Sequence, residues 1–283
     1  MKTASFLLFM TAIMATHGCT KKTDPLPDPP ETPRPGNSMA RLVKGHLLKA
    51  VEIAGFPVRI EYAWHTDSSL RHFHAINTLT KDTVDVDYHY TAGKLTRITT
   101  ENSLSEGVYV ITNDRISRIT SRHLINPTGR QYDFTYRSDS LLSGILRSGL
   151  SEAGPRKVCD IVYSYDGHKL PAFISSTQPN GVMRAIRIHE WSAPFSFSPW
   201  VFSEPELDLE NYELYNPALL FQLDRLPVKF SEWIQQPGGS AVMQRRWEIT
   251  YAIQNDRLMH RTANVIYPAD PQLNSTIEHT FYY

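Results

Sequence analysis

The segment CDIVYSYDGHKLPAFI, residues 159–174, reads as a strand, a tight turn and a second strand. Ile161, Tyr163 and Tyr165 recur at every second position, which places their side chains on one face of a strand. Asp166-Gly167 follows, and this dipeptide tolerates the positive φ that a tight hairpin turn needs. Because apolar residues resume after the turn, the segment predicts one antiparallel β-hairpin.

Variants of this hairpin recur along most of the chain, at intervals of about 22 to 30 residues. Each combines alternating aromatic or aliphatic residues, a turn, and a returning Leu or Ile. The clearest turns are Asp67-Ser68-Ser69, Ala92-Gly93, Asn113-Asp114, Ser138-Asp139, Asp166-Gly167 and Asn255-Asp256. A lone hairpin is marginally stable, so the copies must pack side by side. The sequence predicts an all-β fold, an antiparallel meander that forms a barrel-like or strongly curved sheet, in one domain over residues 38–283.

Composition and motifs exclude several classes of function. The chain has 283 residues with 29 basic and 29 acidic side chains, so it offers no general basic field to nucleic acid. The sequence contains no P-loop, dinucleotide-binding fingerprint, nucleophile elbow or HExxH motif. We therefore expect no nucleic-acid partner and no cofactor, and we assign no catalytic residue.

The amino terminus has the pattern of an export signal. Lys2 precedes the apolar run FLLFMTAIMA at residues 6–15, which is too short to span a bilayer. Cys19 follows Gly18 directly, and this arrangement resembles the lipobox of bacterial lipoproteins, in which a peptidase cleaves before a cysteine that becomes diacylated. The resemblance implies that residues 1–18 are a signal peptide and that Cys19 carries a lipid. The alternative is ordinary secretion with Cys19 as a free thiol.

Residues 19–37 are rich in proline and polar side chains and cannot bury enough apolar surface to fold. We expect an extended tether that holds the domain at a membrane surface through the acylated cysteine. The predicted location is the cell envelope, at the outer membrane. Lys21 and Lys22 make the segment less acidic than the surface-export signals of Bacteroidetes lipoproteins, which favours the periplasmic face over the cell surface.

The hairpin pattern is interrupted between residues 191 and 233. Pro217 follows Asn216, and apolar residues at helical spacing then run to Leu226, before Pro227. This pattern predicts one short helix near residues 217–226. The insertion is either a plug that fills the open end of the sheet or the place where a partner binds.

Aromatic residues on the proline-punctuated loop of this insertion are the candidates for ligand or partner contact. They are Phe195, Phe197, Trp200 and Phe202. Aromatic side chains on a stiff loop can stack on sugars or anchor a protein partner. The competing interpretation places the same side chains in the core of the sheet.

Histidines provide the candidates for metal ligation. His72 and His74 lie on one face of a predicted strand, and this arrangement is compatible with Zn²⁺ or Cu²⁺. Paired histidines on an exposed strand are usually solvated, so we predict no metal site and retain these two as candidates. Asp85 and Asp87 share a face of the next predicted strand, where polar residues are expected in a half-buried sheet.

Cys159 lies in phase with the apolar positions of its strand and is expected to be buried rather than reactive. If Cys19 is acylated, Cys159 has no cysteine partner and the mature domain contains no disulfide.

The repeated Y-x-Y, turn, L-x-x-I units resemble the YD-repeat (RHS-type) proteins, of which IVYSYDGHKL is a single copy. Together with Asn216-Pro217, they also resemble Bacteroidetes lipoproteins of unknown function. These resemblances imply a porin-like or rolled antiparallel sheet and supply no catalytic residue. The expected function is a non-enzymatic, lipid-anchored envelope module with a binding or structural role, whose partner is a protein or a glycan. The alternative is a hydrolase of an envelope or polysaccharide substrate.

A transmembrane barrel is the alternative architecture, because Ile277, Phe281 and Tyr283 resemble the aromatic closing strand of outer-membrane barrels. Membrane strands need about nine to eleven residues, and the alternating stretches here run about five to seven. A lipid anchor would also be redundant. We therefore expect a barrel that does not span the membrane.

Overall fold

The structure, a computed structural model, describes residues 47–102, 105–125, 128–195 and 212–283. These residues form a closed barrel of sixteen strands, in which each strand pairs antiparallel with its neighbours in sequence and the first pairs with the last. The predicted all-β antiparallel meander is confirmed. The strands are β1 Ala50–Ile53, β2 Val58–Trp64, β3 Leu70–Asn77, β4 Thr83–Thr91, β5 Lys94–Asn102, β6 Ser105–Thr112, β7 Arg115–His123, β8 Gly129–Tyr136, β9 Leu142–Leu150, β10 Arg156–Tyr165, β11 Pro171–Thr177, β12 Met183–Trp191, β13 Pro227–Gln235, β14 Ala241–Gln254, β15 Arg257–Ile266 and β16 Ser275–Tyr282. Two short helices, α1 Tyr212–Tyr215 and α2 Pro217–Leu220, precede β13, and a single 3-10 turn, Pro271–Leu273, precedes β16.

The two faces of the barrel wall differ in polarity. On β4, Val86 and Tyr88 point inward and are buried, whereas Asp85 and Asp87 point outward. This alternation follows from the two-residue period of a strand and recurs on most strands. The inward side chains, among them the buried Cys159, form one continuous hydrophobic core.

The hairpin turns use two kinds of chemistry. Asn113-Asp114 forms the expected two-residue loop with both residues at positive φ. In the hairpin of residues 159–174, Gly167 does not adopt positive φ. Lys169 does so instead, with φ 61°. The Asp166 carboxylate closes this longer loop by accepting hydrogen bonds from the backbone N–H groups of His168 and Leu170. The expected tight Asp166-Gly167 turn is wrong, because the aspartate side chain and not a glycine backbone sets the loop.

A repeated hydrogen bond defines one end of the barrel, here called the tyrosine rim, where the turns after the even-numbered strands lie. A tyrosine near the end of a strand donates its hydroxyl to a carbonyl at or near the start of the preceding strand. The pairs are Tyr90 to Leu70 (2.8 Å), Tyr136 to Ile116 (2.6 Å), Tyr165 to Leu142 (2.6 Å) and Tyr251 to Pro227 (2.8 Å). Trp64 makes the equivalent bond through Nε1 to the carbonyl of Leu48, at 2.7 Å.

The first aliphatic residue after each turn of the repeat packs inside this rim. These residues are all between 0% and 8% exposed, and they are Leu70, Leu95, Ile116, Leu142, Leu170 and Leu258. Both residue types of the repeat therefore have structural roles. The tyrosine donates a hydrogen bond that links two adjacent strands, and the leucine or isoleucine is part of the hydrophobic core.

The insertion before β13 packs inside the barrel. The hydroxyl of Tyr163 on β10 donates to the carbonyl of Glu213 in α1, and the Tyr215 ring packs edge-on against Phe230 of β13. Asn216 caps α2 by accepting from the Leu219 N–H, as the Asn-Pro pattern predicts. The described part of the insertion thus packs in the lumen and contacts both β10 and β13.

The helix is shorter than predicted. It ends at Leu220, and residues 221–226 form turns although Leu223 and Leu226 are buried. Leu223 and Leu226 belong to the hydrophobic core without being helical, so their apolar spacing reflects burial and not a helix.

The strands are longer than the alternating stretches in the sequence. β4 has nine residues, β10 has ten and β14 has fourteen. Strands such as β5, KLTRITTEN, continue through polar residues that interrupt the pattern. The expected length of about five to seven residues was wrong, and strand length does not distinguish this barrel from one that spans a membrane.

The rim hydrogen bonds can be tested with a tyrosine-to-phenylalanine substitution. Y165F removes the hydroxyl that satisfies the Leu142 carbonyl, and we expect it to lower the free energy of unfolding by about 1–2 kcal/mol. The matched control is Y282F, since the Tyr282 hydroxyl bonds to Glu52 on the exposed outer face. Urea unfolding measures both. Equal effects of the two substitutions would contradict a structural role for the rim bond.

Candidate functional site

The predicted contact residues fall into two groups. Cys19, Phe197, Trp200 and Phe202 lie outside the described residues, so their roles remain predictions. Phe195 is buried, its ring lies edge-on to Tyr251 at 6.1 Å between centroids, and its N–H donates to the carbonyl of Asp224 at 2.6 Å. In this structure Phe195 contributes to the core, and its contact with a ligand also remains a prediction.

The candidate histidines lie together with two aspartates on the outer face of the barrel. His74 pairs across the sheet with Asp85, and His72 pairs with Asp87. His74 Nδ1 is 2.7 Å from Asp85 Oδ1, and His72 Nδ1 is 2.9 Å from Asp87 Oδ1. The sequence placed the histidines and the aspartates on separate strands, and the register of β3 and β4 brings them into contact.

An ion-pair network lies at the end of the barrel opposite the tyrosine rim, and its members are buried or nearly so except for Arg184, whose side chain is 40% exposed. Glu232 is 4% exposed, and its carboxylate accepts from Arg245 Nε at 2.9 Å and from Trp247 Nε1 at 2.5 Å. Arg184 lies 3.3 Å from Glu232 and 3.8 Å from Glu213 of the insertion. Burying charged groups is costly unless each of them is paired. Because Arg184 pairs with Glu213, this requirement constrains the position of the insertion in the barrel.

This network has the convergent carboxylates that a hydrolase would need, but the recess beside them is closed. Glu213, Glu232, Arg184 and Ser176 line it together with apolar side chains, and it has no space for a water molecule. Both carboxylates are occupied by Arg184. Nothing in this recess supports hydrolysis of a polymer.

A second polar cluster lies in the middle of the wall. Arg261 donates from Nη1 to His279 Nδ1 at 3.3 Å and from Nη2 to the Tyr215 hydroxyl at 3.4 Å, and its guanidinium stacks on the Tyr215 ring. Burial lowers the pKa of His279 to about 3, and the charge of Arg261 acts in the same direction. His279 is therefore neutral at pH 7 and accepts a hydrogen bond.

Sequence reasoning did not find these interior charges. Glu232 is in phase with Phe230 on β13, and Arg245 is in phase with Trp247 on β14. A charged residue at an inward position of an otherwise apolar strand face was the available signal. This signal indicates that the charged residue is buried. The residue with which it pairs can be found only from the three-dimensional structure.

No protein-family model matches the chain, and no curated protein matches it. Among solved structures, the chain is similar to a porin-like protein from Bacteroides uniformis, with 11% identity and a TM-score of 0.51 over 83% of this chain and 96% of that one. It is also similar to a porin-like protein from Bacteroides vulgatus, with 12% identity and a TM-score of 0.54 over 83% of this chain and 98% of that one. At these identities the likeness concerns the fold alone, and it agrees with the expected rolled antiparallel sheet.

The depressed pKa of His279 predicts a loss of stability in acid. Because the folded pKa lies below the unfolded value of 6.5, the unfolded state takes up a proton first as the pH falls below 6.5. Between pH 7 and pH 5 this contributes a loss of about 2 kcal/mol in the free energy of unfolding.

In H279Q the amide oxygen can still accept from Arg261 but does not titrate, so we expect a shallower pH dependence than in the wild type. H168Q, in an exposed loop, is the control and keeps the wild-type slope. Urea unfolding at pH 7 and pH 5 measures the difference. A wild-type slope in H279Q would refute the assignment.

Proposed function

We propose that the chain is a lipid-anchored protein of the cell envelope, held at the outer membrane through Cys19, whose barrel is a non-enzymatic binding or structural module. One observation carries this proposal: the polarity of the barrel is the reverse of that of a pore. The core fills the inside, and charged and polar side chains predominate on the outside, where exposed aliphatic residues such as Val110 and Val162 are scattered among them.

The filled interior argues against a channel. Membrane barrels of sixteen to eighteen strands leave an aqueous lumen with polar walls. Here the inward faces are largely apolar, and Leu214, Leu219 and Leu220 of the insertion are fully buried among them. Solute transport through this lumen would require the packed insertion to leave.

The charged exterior argues against direct contact with lipid tails. Ion pairs lie along the outer face on several strands, such as Arg118 with Asp133 and Lys229 with Glu190. A lysine or arginine facing lipid at the bilayer centre costs about 2–4 kcal/mol. In the described part of the chain no helix has the length and apolarity to cross a membrane. In this proposal a lipid on Cys19 supplies the attachment.

The partner in this proposal is a protein or a glycan that binds the segment between Phe195 and Tyr212 or the outer wall. Phe197, Trp200 and Phe202 provide aromatic surface suited to either partner. The chain enters and leaves this segment from the barrel interior, since Phe195 and the ring of Tyr212 both pack on the inner face. The wall thus holds the residues that flank the candidate binding segment on both sides.

Substitution of Cys19 separates an anchored barrel from a spanning one. With its own signal peptide in a Gram-negative host, the wild type should incorporate labelled palmitate and fractionate with membranes. Because the lipoprotein cleavage site is lost with the cysteine, C19A is expressed behind a leader that ordinary signal peptidase removes, and it should then lose the label and appear as a folded, soluble periplasmic protein. C159A is the matched control and stays anchored, because Cys159 is buried in the barrel wall. Retention of C19A in carbonate-washed membranes would refute the proposal in favour of a spanning barrel.

The periplasmic orientation predicts protection from protease in intact native cells. Trypsin has sites in the tether at Lys21 and Lys22. We expect no release of the domain until the outer membrane is permeabilised. Release from intact cells, with a periplasmic marker protein still protected, would instead establish exposure on the surface.

A further inference from the structure

Two rows of outward-facing residues cross strands β2 to β5 side by side. The rows are Glu61, His74, Asp85 and Glu101, and Ala63, His72, Asp87 and Thr99. Both imidazoles lie in the middle of the patch, and carboxylates flank them. The hydrogen-bonded sheet fixes the spacing of these side chains, so the arrangement does not depend on a loop.

The donor atoms converge on one position. Asp85 Oδ1 is 2.7 Å from His74 Nδ1 and 3.3 Å from His72 Nε2, and one ligand atom from each residue lies within 4.8 Å of the others. Donors in a tetrahedral zinc site bond at about 2.0–2.2 Å and lie about 3.4 Å from one another. Small side-chain rotations would place all three donors around a single ion.

Asp87 orients one of the imidazoles. Its carboxylate oxygen lies 2.9 Å from His72 Nδ1, and Asp85 Oδ1 lies 3.3 Å from Nε2, so a neutral His72 with its proton on Nδ1 would direct the Nε2 lone pair toward Asp85. A carboxylate on the far nitrogen of a ligating histidine is the common support in metal sites, where it fixes the tautomer and makes the ligand more basic. This support is an observation independent of the three clustered donors.

Charge in the patch also favours a cation. Four carboxylates, those of Glu61, Asp85, Asp87 and Glu101, lie in the two rows around the imidazoles. Arg59 is paired with Glu61 and also with Glu52. The field around His72 and His74 is thus negative when the imidazoles are neutral, which is the state that ligates a metal.

We propose that His72, His74 and Asp85 bind one divalent transition-metal ion on the outer face of the barrel, with Asp87 as the positioning residue. Two imidazole nitrogens and one carboxylate oxygen suit Zn²⁺. The three side chains are 29%, 32% and 40% exposed, so a water molecule can complete a tetrahedral shell. The ion would join β3 to β4 and leave a coordination position open to solvent.

Calorimetric titration of the purified, chelator-treated protein with Zn²⁺ tests this site. We expect one equivalent to bind per chain, with a dissociation constant in the micromolar range. H72A, H74A and D85N should each weaken binding at least tenfold. H89A is the matched control and should bind as the wild type does, since His89 lies on the same outer face of β4 but bonds to Thr99 at 3.0 Å. Circular dichroism of each metal-free variant checks folding.

Asp87 is tested separately because it does not ligate the ion. D87N should keep the one-to-one stoichiometry while weakening binding about 10- to 100-fold. Co²⁺ added in place of Zn²⁺ should give the intense visible absorption of a tetrahedral site in wild type and H89A, and lose it in H74A. Absence of saturable Zn²⁺ binding, or equal binding by wild type and the folded H72A and H74A variants, would overturn the proposal.

Discussion

In small barrels the inward-facing side chains fill the interior. A closed sheet of sixteen strands has a wider lumen, and this chain has to fill it. Large aromatic residues on the inner wall provide part of the filling, and the insertion before β13 provides the rest. Apolar contacts alone do not determine how the insertion is oriented. Its orientation is set by polar contacts, namely the bond from Tyr163 to the Glu213 carbonyl and the link from Arg184 to Glu213. Filling the lumen therefore explains both the apolar inner face and the few buried charges.

The repeated tyrosine illustrates how much of the fold was predictable. Its spacing before a turn and a returning leucine predicted hairpins side by side, because both features are local and follow from the strand period. The sequence did not reveal that the hydroxyl of Tyr165 reaches back to the carbonyl of Leu142, since that partner is set by the twist and stagger of adjacent strands. The sequence also did not decide whether the sheet closes into a barrel. Closure depends on the pairing of β1 with β16, which lie at opposite ends of the chain.

The candidate site shows the same division between local and non-local information. His72 and His74 were visible as an in-phase pair on one strand. Their relation to Asp85 and Asp87 required the register between β3 and β4, and a shift of one residue would have turned the two sets to opposite faces. Glu232 was less visible still, because a single acidic residue in an apolar strand resembles ordinary surface variation until its partner Arg245 is known.

The rim bonds and the meander also determine how the chain can reach its native state. Each rim tyrosine and its carbonyl partner are 20 to 24 residues apart, and every strand pair except one joins neighbours in sequence. Contacts at such short separation have a low entropic cost of loop closure, so the wall can grow hairpin by hairpin from any point. The pairing of Ala50 with Tyr282 is different, because it must bring together the two ends of a sheet that is otherwise complete. Until that step the two outermost strands have unpaired backbone groups, and β1, with only four residues, offers a short edge to strands of other chains.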